Sequence, residues 1–79
     1  MSRPQRLIAD VPAEWQRDGI RTLVIEEDPS SRGWFFFLHE RWPGPDKADY
    51  WHESREDAIH HAESVWGVSA DSWREVADE

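Results

Sequence analysis

Apolar and polar positions fall into three kinds of pattern along the chain. From Ile20 to Glu27 the residues Thr22, Val24 and Ile25 are β-branched and Leu23 continues the apolar run, which predicts a strand. Asp28-Pro29-Ser30-Ser31-Arg32-Gly33 is rich in turn formers, and Trp34 to Glu40 is a second, aromatic-dense strand that would close a hairpin on the first. Trp42-Pro43-Gly44-Pro45-Asp46-Lys47 reads as a loop, because two prolines around a glycine sustain neither a ladder nor a helix. Ala48 to His52 predicts a shorter third strand.

The period then changes. Apolar residues at Ala58, Ile59, Ala62, Val65 and Trp66 share one face of a helix, which leaves Glu56, His60, Glu63 and Ser64 towards water. Ser54 is placed to cap that helix, with Asp57 in the capping-box position and Glu56 beside it at the positive end of the dipole. Gly67 is a left-handed stop, with Val68 turning back onto the last turn. Ser69-Ala70-Asp71-Ser72 suggests a turn or one-turn helix, with Trp73 and Val76 anchoring the tail. Residues 1–19 are polar and irregular, apart from a short helical turn within Asp10–Gly19 started by Pro12.

These elements predict an α+β domain: a three-stranded antiparallel sheet in β-β-β-α order with one amphipathic helix on one face. Residues 1–19 are set apart as an N-terminal segment, and residues 20–79 form the domain. The second strand is apolar on both faces, since Trp34, Phe36 and Leu38 alternate with Phe35 and Phe37. The helix is expected over the first set. Phe35 and Phe37 then need a cover, either the N-terminal segment through Leu7, Ile8, Val11 and Trp15, or a second copy or partner. Phe35, Phe37, Trp15 and Trp42 are therefore the candidate interaction surface.

With 79 residues the chain buries only roughly 60% of its unfolded surface, so its six Trp, three Phe and one Tyr carry much of a thin core. The absence of Cys leaves no disulfide or thiolate site and fits a cytoplasmic location. The longest apolar run, Trp34–Leu38, falls far short of the ~20 residues of a membrane helix, and Met1–Arg6 lacks the apolar stretch of a secretory signal. The net charge is −8, and the nine basic residues are scattered. Such a chain is expected to repel nucleic acid; its acidity suits solubility or, as the lesser expectation, a basic protein partner.

The chemistry-bearing residues give little. Among His39, His52, His60 and His61, the last three sketch a metal site, with Glu56 and Asp57 at i, i+4 to His60 and His61. Adjacent helical residues diverge by about 100°, however, so no metal is expected. Ser54 near His52 resembles a nucleophile and base, but a helix cap explains its hydroxyl better. No phosphate loop, nucleophile elbow or metalloprotease helix occurs, and neither catalysis nor a cofactor is expected.

Gly33-Trp34-Phe35-Phe36-Phe37-Leu38, Asp49-Tyr50-Trp51-His52-Glu53-Ser54, Glu56-Asp57-Ala58 with Ala62-Glu63, and Gly67-Val68 with Asp71-Ser72-Trp73 occur together over residues 20–76. In these blocks the chain resembles a family of short bacterial proteins of unknown function, a likeness that implies a fold and no activity. Tyr50 departs from the smaller residue that the resemblance implies before the Trp, and the loop Arg41–Lys47 is also unusual for it. In the order hairpin, third strand, acidic-started helix, the chain is also similar in topology to HicB-type antitoxins. Those often add a DNA-binding segment after the helix, which is not expected here. The function expected is a small non-catalytic protein-interaction module, acting on a protein partner or as a homodimer. The alternatives are an antitoxin or immunity-type inhibitor of a basic toxin, and a metal-dependent enzyme using His52, His60 and His61.

Overall fold

The structure, a computed structural model, describes residues 4–76. The two apolar runs pair as expected: β2 (Thr22–Glu27) and β3 (Trp34–His39) form an antiparallel hairpin in which Val24 lies opposite Phe37 and Ile25 opposite Phe36. The remaining strands are β1 (Arg6–Asp10), β4 (Asp46–His52) and β5 (Arg74–Glu75), and the helix is α1 (Arg55–Trp66). The architecture is α+β with an antiparallel sheet and one helix on it. The sheet has five strands in the order β4-β3-β2-β1-β5, not three.

Three corrections account for the difference. Residues 6–10, expected to be irregular, form β1, hydrogen-bonded between β2 and β5. Leu7 and Ala9 point to one face and Ile8 to the other, and all three are buried, so the alternation that marks a half-exposed strand is missing. Beyond the short helical turn at Ala70–Ser72, the tail adds β5 instead of ending in a turn, with the Val76 amide donating to the Arg6 carbonyl at 2.9 Å. β4 begins at Asp46, two residues before the expected Ala48, because an irregularity between Leu38 and His39 lets His39 pair with Asp46.

The first strand of the hairpin starts later than expected, at Thr22. Asp18 and Gly19 both take positive φ, 56° and 78°, and Ile20 bridges back to Arg17 across this tight turn. The helical turn expected within Asp10–Gly19 occurs at Ala13–Trp15, with Pro12 preceding it.

The helix face of the sheet carries three cross-strand rows, Glu27-Trp34-His52, Leu7-Ile25-Phe36-Tyr50 and Ala9-Leu23-Leu38-Ala48. α1 lays Ala58, Ala62 and Trp66 over them, and Phe36, Leu23 and Ile25 are fully buried. Trp34, Phe36 and Leu38 thus lie under the helix as expected. The expected helix face holds for Ala58, Ala62 and Trp66 and partly for Ile59, but Val65 is exposed and His61 turns inwards in its place. The N-terminus of α1 is closed as expected: the Asp57 amide donates to Ser54 Oγ at 3.1 Å. Ser54→Ala should therefore cost about 1 kcal/mol, read from the urea midpoint at unchanged slope.

At the other end Gly67 adopts φ 66°, and its Cα lies against the Trp15 ring, where an added Cβ would meet ring atoms at 2.4 Å. Arg17 completes this end. Its guanidinium donates to the Val65 carbonyl at 2.8 Å and stacks 4.1 Å from the Trp66 ring, supplying the positive charge that the last turn of α1 lacks.

Candidate interaction surface

Pleating sends the alternate residues of each strand to the far face, away from α1. Three cross-strand rows form there: Arg6-Glu26-Phe35-Trp51, Ile8-Val24-Phe37-Asp49, and Asp10-Thr22-His39-Asp46. The central row is the apolar one, and Ile8 and Val24 are only 3% and 1% exposed.

Within the chain, the side chain that reaches over this row is Trp42, not Leu7, Val11 or Trp15 of the N-terminal segment. The loop after β3 carries its ring back over the sheet, 5.1 Å from the His39 ring and 5.8 Å from the Arg6 guanidinium. Leu7 and Val11 belong to the core under the helix, Ile8 lies in the sheet itself, and Trp15 packs on Gly67 at the end of α1. Of the four candidate surface residues, Phe35, Phe37 and Trp42 share the far face, and Trp15 is on the other side of the molecule.

Trp42 covers only part of the face. Phe35 and Phe37 stack on one another with centroids 5.7 Å apart and stay half-buried. Trp51, opposite Phe35, is 49% exposed. Its ring lies on Gly33, where a Cβ would sit 2.0 Å from ring atoms, so only glycine allows this approach. Trp51 also contributes, after the stronger hydrogen bonds from Ser30 and Ser31, to holding the Asp28 carboxyl below its ordinary range. Among the described residues β4 ends the sheet with no strand beyond it, and most of its own residues are exposed. Trp51 flanks this edge on one face and Tyr50, 47% exposed, on the other. The sequence reading missed both residues, although two adjacent aromatics in a strand must lie on opposite faces, and one helix covers only one of them.

On the helix side, Tyr50 and His61 line a groove between β4 and α1, and His61 pairs with His52 beside it. His52 Nε2 and His61 Nδ1 lie 3.0 Å apart, one ring donating to the other, and His61 meets Phe36 edge-on at 4.7 Å. His60 turns away to Ser64, so the three histidines sketched as a metal site do not converge. No group of three or more His, Asp or Glu side chains placed to hold a metal occurs among the described residues.

Burial, and then the neighbouring charge of His52, push the His61 pKa below its ordinary value. The unfolded chain thus binds protons more readily than the folded one, and stability falls as pH drops below about 6.5. Thermal melts taken between neutral pH and about pH 5.5 should show the wild type losing stability faster than His61→Gln. Parallel pH profiles of the two proteins would show that His61 is not the group responsible.

No helix among the described residues is long and apolar enough to cross a membrane. No protein-family model, curated protein or solved structure matches the chain.

Proposed function

We propose that the protein is a small non-catalytic interaction module that docks a protein partner along the β4 edge and the aromatic strip beside it. The observation that carries this reading is the concentration of half-exposed aromatics around the longest strand, itself an unpaired edge: Trp51 and Phe35 on one face, Tyr50 on the other. Exposed edges offer a row of backbone donors and acceptors, and flanking aromatics supply the contact area that makes strand addition specific.

Charge favours a basic partner. The chain carries −8, and Asp46, Asp49 and Glu53 line or adjoin the edge itself. That acidity also supports the second reading, an antitoxin or immunity-type inhibitor held against a basic toxin by complementary charge. Two copies of an edge this acidic would repel one another. The metal-dependent reading has less support, because His60 stands apart from His52 and His61.

Affinity capture from the native cell tests the proposal. Wild-type protein should retain a basic partner at low salt, and a folded Tyr50→Lys/Trp51→Lys variant should lose it. A chain that captures nothing and stays monomeric in light scattering counts against the reading, as does capture unaffected by the double substitution.

A further inference from the structure

We propose that the recess under Trp42 is a pocket for an organic cation, the guanidinium or alkylammonium head that a partner's arginine or lysine presents. This deepens the interaction reading above and rests on it.

The shape comes first. Phe37, His39 and Trp42 meet at steep angles, His39 to Trp42 at 82° and Phe37 to His39 at 62°, with centroids 5.1 and 6.4 Å apart. Rings set this way are walls, not a stack. They bound a cavity of about 130 Å³ whose remaining sides are Val24, Glu26, Asp46 and Arg6. That is close to the size of a single small ring.

Charge decides the class of ligand. Aromatic faces attract cations through their quadrupoles, and two carboxylates strengthen that preference. The chain's own Arg6 already responds to it, lying 5.8 Å over Trp42 and 3.2 Å from Glu26. Arg6 balances Glu26, whereas Asp46 has no ion pair among the described residues. The recess therefore keeps an unanswered negative charge beside open volume. An anion would meet two carboxylates and one guanidinium that is already engaged. A neutral apolar group would take water from the carboxylates and return nothing.

His39 is the independent sign that this region is built for more than packing. It is 4% exposed, and its Nδ1 is buried without a hydrogen-bond partner among the described residues. Native interiors seldom leave such an atom alone, and a residue serving only to fill space would be cheaper as Phe or Leu.

The experiment is a titration of the full chain with methylguanidinium, against methylurea as its neutral planar isostere. Nuclear magnetic resonance follows the Trp42 indole N–H, assigned with Trp42→Phe. Methylguanidinium should shift that signal saturably at millimolar concentration, and methylurea should not. Arg6→Gln, which removes the resident cation, should tighten binding several-fold, and Asp46→Asn should weaken it. No saturable shift, or equal shifts from both probes, overturns the pocket, and the probe comparison needs no variant to fold. The capture experiment is separate: partner capture with an unresponsive pocket overturns this inference alone. A responsive pocket in a chain that captures nothing supports the pocket and overturns the docking reading.

Discussion

Deleting residues 1–18 should abolish cooperative folding. The deletion removes β1, a strand hydrogen-bonded on both sides, and opens β2 as a new edge. It strips Leu7, Ile8 and Val11 from the interior, where they are 9%, 3% and 2% exposed. Each such side chain contributes roughly 1.5–3 kcal/mol. A domain of 79 residues has a total stability of roughly 0.05–0.15 kcal/mol per residue, so the loss from three side chains is of the same order as the whole. The deletion also takes away β1, the strand that β5 pairs with, and the Arg17 guanidinium that closes α1. Far- and near-ultraviolet circular dichroism should show an unfolded or aggregating chain. A truncated protein with an unchanged, cooperative melt would mean that β1 is not part of the sheet.

Phe36→Ala should be the most damaging single truncation, with an expected loss of about 3–5 kcal/mol. Phe36 is fully buried at the centre of the row from Leu7 to Tyr50, and its ring supports His61 of the helix from below. Phe35→Ala should cost less, about 1–2 kcal/mol, since Phe35 is half-buried on the far face. The comparison tests the register of the sheet. A slip of one residue exchanges the two faces and would reverse the order of the two losses in denaturant unfolding.

Phe36 also shows what the sequence could reveal. Strict alternation separated the two faces of the aromatic strand, and helical spacing placed Ala58, Ala62 and Trp66 over the correct one. The boundaries Arg55–Trp66 followed from Ser54 and Gly67, whose capping chemistry is local. What stayed hidden depended on distant pairing. Ile8 is buried on the far face of the sheet, away from the helix, and nothing in the segment 6–10 announces that. Val65 looked like a core residue by spacing, but its carbonyl takes Arg17 while its side chain faces out. The pocket was hidden for the same reason. Trp42 was noticed as an aromatic in a proline-rich loop, and only the folded chain brings it over His39 and Arg6.

The order β4-β3-β2-β1-β5 puts the first and last described strands side by side at one border, since Leu7 lies opposite Glu75 and the Val76 amide bonds to the Arg6 carbonyl. The β4 edge is the opposite border of the sheet. A label or fused domain attached before Arg6 or after Glu75 therefore starts from the border away from β4. A short linker from Val76 to Arg6 would close residues 6–76 into a ring, which could be reopened in the exposed Pro29–Arg32 turn without breaking a strand. In such a rearranged chain β5 and β1 become sequence neighbours, and the pairing that now closes the longest loop of the fold becomes a local hairpin.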